Sequence, residues 1–142
     1  MTDRKYARQT EIMDAALKGG EPTLENRATV IASSYVDCVL LQGREIPGVI
    51  AALAGSPELE KIKRDYEAVF MEKCRQVLAP FARPGAITPA SLWAMLGAAE
   101  SLSYAAAAGA LTAAEAKSEL SETIMALVAR GSAPRLSLQT RR

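Results

Sequence analysis

PGAITPASLWAMLGAAESLSYAAAAGALTAA, residues Pro84 to Ala114, carries a single charged side chain, Glu100. Thr88-Pro89 is a helix-opening pair, an N-cap hydroxyl followed by a proline at the first helical position. The helix it opens is expected to run to about Ala110. A helix on the surface of a monomer shows a polar face. This one has Ala, Leu, Met, Trp and Gly nearly all the way round, relieved by Ser91, Ser101 and Ser103. About 22 helical residues make a rod of roughly 33 Å. That length suits a bilayer, but Glu100 sits at its centre and the flanks lack basic anchors, so no membrane span is expected. Burial on two sides is the other explanation: against the chain's own core and against another molecule.

The following segment extends the argument. Thr112-Ala113-Ala114-Glu115 is a capping box and opens a last helix ending near Arg130-Gly131. Glu115, Glu119 and Glu122 form a solvated stripe on it. Ala116, Leu120, Ile124, Leu127 and Val128 form a buried one. Small residues (Gly97, Ala98, Ala105, Ala108 and Gly109) allow close helix approach. Two adjacent apolar helices suggest a two-fold dimer built as a four-helix bundle, with Leu92, Leu96, Ala105, Leu120, Ile124 and Leu127 at the interface. A central core helix in a monomer is the alternative.

The remaining helices are punctuated by caps. Thr2 or Asp3 starts a first helix, carrying Tyr6, Ile12, Met13, Ala16 and Leu17, that ends at Gly19-Gly20. Thr23 caps a second, expected to run to Gln42 and stop at Gly43. Pro47 opens a short third, ending near Gly55. Ser56-Pro57-Glu58 combines an N-cap, a first-turn proline and a first-turn acid, and opens the fourth. Leu59, Ile62, Tyr66, Val69, Phe70, Cys74, Val77 and Leu78 recur there at helical steps among charged residues. Pro80 to Gly85 reads as a loop. No β-branched alternation occurs. The expectation is an all-α fold of about six helices: one domain over residues 1–131 and a loose, mildly basic tail over 132–142.

Bulk composition excludes several functions. The 142 residues are 49% apolar, enough for a core, and 17 Lys and Arg balance 16 Asp and Glu. Such a balance is not that of an electrostatic clamp for nucleic acid. With no histidine, Ser-His-Asp and Cys-His nucleophile systems and His-ligated zinc are absent. Neither a catalytic nor a metal site is expected, and no cofactor. Cys38 and Cys74 sit within helical patterns, as buried thiols or as a disulfide pair. The opening MTDRKYARQ lacks the apolar run of a signal peptide, from which a cytoplasmic location is expected.

The order of elements resembles the C-terminal domain of the tetracycline-repressor (TetR) family of transcriptional regulators. The resemblance is carried by EIPGVIAALAGSPELEKIKRDYEAVF (Glu45 to Phe70) and ASLWAMLGAAESLSYAAAAGALTAAEAKSELSETIMALVARG (Ala90 to Gly131), and extends from about Arg4 to Gly131. In that family a short helix and a Pro-Glu-Leu-type start lead into a long amphipathic helix. A small-residue-rich helix follows, then a turn of the pattern a-G-a-L-(T/S)-x-x-E-A, which Gly109 to Ala116 match. The resemblance implies a homodimer paired through the last two helices. It also implies a pocket for a small apolar or amphipathic effector, enclosed by the first, second and fourth helices and one face of the fifth. Ligand binding there would shift helices and move attached DNA-reading heads. The family's helix-turn-helix head, with its Gly-Val-Ser-like turn and Tyr-x-x-Phe tail, has no match here. Direct nucleic-acid binding by this chain alone is therefore not expected.

Seven residues are candidates for the ligand site. Asp37 interrupts an apolar helix and, with Ser33 and Ser34, makes a polar stripe. It is a ligand-orienting group, a cap partner for a neighbouring helix, or part of a solvent-facing edge. Glu100 shares a face with Trp93, Leu96, Gly97, Ser103 and Tyr104. An acid among aromatics suits a cationic or hydroxylated ligand, and equally an Arg across a dimer. Tyr35, Cys38, Tyr66, Phe70 and Trp93 line a cavity or pack the core. Met71 and Met95 are adaptable fillers.

Three functional classes compete. One is a ligand-sensing dimer module. A second is a headless helical interaction protein that heterodimerises with a full-length regulator and binds no ligand. The third, a small mutase-type enzyme, needs convergent basic residues on inward faces, whereas Lys61, Lys63 and Arg64 read as a solvated face.

Overall fold

A computed structural model describes residues 2–45 and 56–132. The described chain is all helical, with no strand: α1 (Thr2–Gly19), α2 (Leu24–Glu45), α3 (Pro57–Leu78), a 3-10 turn (Ala79–Phe81), α4 (Pro89–Ala107) and α5 (Ala113–Ser132). The third helix expected from Pro47 to near Gly55 lies outside the described residues, as do positions 133–142 of the expected tail.

Local chemistry accounts for the boundaries. Between α1 and α2 the Thr23 hydroxyl accepts from the Asn26 amide at 3.1 Å. The Arg27 guanidinium donates to the Leu17 carbonyl and to Asn26 Oδ1, both at 2.9 Å. It thus satisfies a carbonyl left open at the end of α1. A side chain at Gly20 would meet the Asn26 amide at 2.6 Å, so a larger residue there would displace Asn26 from its bond with Arg27. Gly43 does not end α2, which continues to Glu45. Without a left-handed conformation, glycine is a weakly unfavourable helical residue, costing about 1 kcal/mol relative to Ala, rather than a stop.

The two boxed starts form as their residues dictate. At α4, Thr88 Oγ1 accepts from the Ser91 amide at 3.1 Å and Ser91 Oγ accepts from the Thr88 amide at 3.0 Å. At α5, Thr112 Oγ1 accepts from the Glu115 amide at 3.0 Å and Glu115 Oε1 from the Thr112 amide at 2.9 Å. Between them Gly109, at φ +82°, ends α4. The Gly109 amide donates to the Ala106 carbonyl at 3.1 Å and the Ala110 amide to the Ala105 carbonyl at 2.9 Å, the paired bonds of a Schellman cap.

Three helices make the core. α2, α4 and α5 pack most extensively on one another; α1 lies on α2, and α3 lies on the flank. Ile31 and Val36 from α2, Met95 and Leu96 from α4, and Leu120, Ile124 and Val128 from α5 are buried together. Ala28, Ala32, Ala99 and Ala116 are buried among them and let the backbones approach. Each fully buried Leu or Ile contributes about 1.5–3 kcal/mol relative to exposure. α1 reaches this core through Met13, and α3 through Phe70, Cys74 and Leu78. Both cysteines carry thiols: Cys74 is buried and Cys38 half-buried. Among the described residues no helix is long and apolar enough to cross a membrane.

Candidate functional site

Helix α4 divides by exposure, not by polarity. Ser91, Met95, Leu96, Ala99 and Ser103 are buried, following helical steps along its inner face. On the outer face, Trp93, Ala94, Gly97, Ser101, Tyr104 and Ala108 are exposed. Trp93 retains 59% and Tyr104 57% of its accessible surface. No charged residue lies on that stripe. The two rings flank a shallow centre at Gly97, where an added Cβ would meet nothing within 4 Å.

This arrangement revises the expected interface. Leu96, Leu120 and Ile124 are at most 1% exposed within one chain and have no surface to offer a second copy. The apolar stripe of α5 is consumed by the chain's own core, and its outer face carries Glu115, Glu119 and Glu122, all exposed. Leu92, Ala105 and Leu127 are half-buried. A periodic stripe says that a face is covered, not what covers it. The uncharged surface left outside belongs to α4, and Trp93, expected to line a cavity, stands on that surface.

A second grouping joins α2 to α3. The Tyr35 and Phe70 ring centroids are 5.0 Å apart at 59°, and those of Tyr66 and Phe70 6.3 Å apart at 28°. Tilted and offset rings at these separations are favourable aromatic contacts, each adding about 0.5–1.5 kcal/mol to burial. Phe70 and Tyr35 are buried, and Tyr66 is half-buried. Cys38 lies one turn beyond Tyr35 on α2. Three of the seven candidates, Tyr35, Tyr66 and Phe70, thus meet at the α2–α3 seam. Met95 belongs to the core and Met71 packs against it.

Asp37 belongs elsewhere. Its side chain is 63% exposed, and Oδ1 lies 2.7 Å from Lys117 Nζ, tying α2 to α5. It thus stands at a solvent-facing edge, in an ion pair rather than at a helix cap. Glu100 turns toward α3. Its Oε2 lies 3.8 Å from Lys63 Nζ, and its charge acts on Glu67. Lys63 is therefore half-buried against an acid, while Lys61 and Arg64 keep the solvated face expected of them. Burial, then the Glu100 charge, push the Glu67 carboxyl above its ordinary value of 4.5, with Lys63 opposing. At the far end of α3, Arg75 and Gln76 hold the Glu72 carboxyl down to about 2. Burial pushes the Cys74 thiol up to about 12.

One buried polar group escaped the sequence reading. Ser103, expected on the Glu100 face, lies on the inner face of α4 at 0% exposure. Its Oγ is the one buried side-chain oxygen or nitrogen without a hydrogen-bond partner among the described residues. Nothing in a helical spacing that also admits serine on the outside distinguishes it. Among the described residues no group of three or more His, Cys, Asp and Glu could hold a metal ion. In the comparisons with known proteins, no family model, curated protein or solved structure matches the chain.

Proposed function

We propose that this chain is a regulatory association domain of the TetR C-terminal type, pairing with a second copy and sensing a small apolar or amphipathic effector. The observation that carries the proposal is the outer face of α4: charge-free, centred on a glycine, and bearing two exposed aromatic rings. A face of that composition is costly to leave in water and inexpensive to bury. Trp93 and Tyr104 lie nearly symmetrically about the Gly97–Ser101 centre. An antiparallel two-fold crossing there brings Trp93 of each copy over Tyr104 of the other. Four such rings, about half exposed, offer on the order of 500 Å² to the contact. A stable interface buries about 1,200–2,000 Å² in total, so the small residues and the helices beside α4 supply the remainder. At about 25 cal/mol per Å² the rings alone bring about 12 kcal/mol of gross burial, to be set against association costs of about 4–15 kcal/mol.

The sensing half of the proposal rests on the resemblance and on the aromatic seam. Tyr35, Tyr66 and Phe70 join a core helix to the flanking helix α3. A guest seated against these rings would change the set of α3 relative to α2 and α4.

Gly97→Arg tests the pairing. The side chain enters open space, so the fold tolerates it, while a charge is forced into the centre of the paired face. The native chain is expected to sediment as two chains and the variant as one, with unchanged helical circular dichroism. Equal masses for the two proteins would refute pairing through α4.

A further inference from the structure

Three polar side chains are buried among the described residues: Ser91, Ser103 and Ser121. Two of them are bonded. Ser91 Oγ closes the box at the start of α4, and Ser121 Oγ lies 3.4 Å from Thr29 Oγ1. Ser103 is the deepest of the three, at 0% exposure, and its Oγ has no hydrogen-bond partner among the described residues. A hydroxyl inside a helix can bond the carbonyl four residues back. Thr123 on α5 does so, donating to the Glu119 carbonyl at 2.8 Å. Ser103 makes no such bond, so its own helix does not use the hydroxyl. We propose that Ser103 is the polar anchor of an effector site, and that the effector is a small neutral alcohol or phenol whose oxygen bonds the Ser103 hydroxyl.

The position of Ser103 connects it to the aromatic seam. It stands one turn beyond Glu100 on α4, and residues three apart share a side of a helix. Glu100 reaches α3 at Lys63, with 3.8 Å between Oε2 and Nζ. Ser103 therefore lies on the flank of the inner face that turns toward α3. Tyr66 stands one turn beyond Lys63 on α3 and packs against Phe70, which packs in turn against Tyr35 of α2. The junction of α2, α3 and α4 thus combines three aromatic rings with one unbonded hydroxyl. Ligand sites are built in this way, from an apolar lining and a few polar groups that fix orientation.

The surroundings set the class of guest. Leu96 and Ala99, on the preceding turns of the same flank, are buried with Ser103. An ionised head group there would lose its hydration without a counter-charge. An anion would also face the Glu100 carboxyl, and a cation would find Glu100 already engaged with Lys63. A neutral oxygen meets neither penalty, and the serine hydroxyl both donates and accepts. An aromatic body suits rings that already pack at tilted and offset angles. Ser103 therefore acts with opposite signs: its hydroxyl weakens the free chain and strengthens the bound one. A hydroxyl with a purely structural role has no such pair of effects. Such a site rests on the effector-sensing reading above, but it needs no pairing through α4.

The test compares phenol with toluene, two probes of the same shape in which a hydroxyl replaces a methyl. Their affinities for the full chain are read from amide shifts in NMR titrations, for the native sequence and for Ser103→Ala. The native chain is expected to bind both, with phenol shifting the amides of α4 around Ser103 and of α3 around Tyr66. In Ser103→Ala the phenol-to-toluene affinity ratio is expected to fall about tenfold, the loss of one buried hydrogen bond, with unchanged helical circular dichroism. A ratio that Ser103→Ala leaves unchanged overturns the proposal, while binding of both probes at the seam would leave the sensing reading standing. If neither probe binds the native chain, the anchor and the sensing reading fall together, and the solution mass still reports pairing separately.

Discussion

Replacing Ser103 by alanine should make the protein more stable. The side chain is fully buried on the inner face of α4, and its oxygen has no hydrogen-bond partner among the described residues. An unsatisfied buried hydroxyl costs about 1–3 kcal/mol, because the water it gave up on folding is not replaced. Alanine removes that penalty and adds a few tenths of a kcal/mol of helix propensity. Against this stands the space left by one oxygen, roughly 10 Å³ at about 24 cal/mol per Å³, or about 0.2 kcal/mol. The net expectation is a gain of about 1–3 kcal/mol. For a chain of this size it raises Tm by roughly 3 °C per kcal/mol. Urea unfolding followed by far-ultraviolet circular dichroism reads the change, with an unchanged m-value as the check that only stability moved. Ser121→Ala is the control: its hydroxyl has a partner in Thr29 Oγ1 at 3.4 Å, so its loss destabilises, by about 1 kcal/mol or less. A Ser103→Ala variant less stable than the native chain by 1 kcal/mol or more would refute the reasoning.

Two further outcomes rest on burial. Leu120→Ala, at a position with 0% exposure in the α2–α4–α5 core, is expected to cost about 2–5 kcal/mol in urea unfolding; a loss below 1 kcal/mol would mean that α5 is not packed as described. Iodoacetamide at neutral pH is expected to label half-buried Cys38 first and to reach Cys74 only after denaturant is added, because burial keeps the Cys74 thiol protonated up to about 12. Equal labelling of the two in the native state, read by peptide mass, would contradict that placement.

Much of the helical layout is legible in the sequence because its signals are local. Thr88-Pro89 and Thr112 with Glu115 mark their helices through bonds spanning three residues, so neighbouring sequence suffices to read them. Gly43 and Gly109 show where that stops. Both are glycines near an expected end, but only Gly109 takes the left-handed conformation that ends a helix. The glycine permits that conformation; the path of the chain beyond it decides whether it is used. Partners distant in sequence are not legible. In the sequence Glu100 is an acid without a counterpart, and Lys63 one of a row of solvated cations. Their pairing depends on how α3 crosses α4. The same holds for Asp37 and Lys117. The apolar stripes of the last two helices are buried, as their spacing predicts, yet Leu96, Leu120 and Ile124 are covered by their own chain and not by a second one. Periodicity reports an environment and is silent about who provides it. Trp93 and Tyr104 illustrate the converse, since large rings on an uncharged helix read as interior until the geometry puts them outside.

The central claim is that the outer face of α4 pairs with a second copy of the chain. The solution mass, measured by light scattering over a concentration series extending to low micromolar, tests it most directly. The account predicts the mass of two chains throughout the upper range, falling toward one chain only on strong dilution. A mass of one chain at every concentration would contradict it, and α4 would then be a helix that leaves Trp93 and Tyr104 in water.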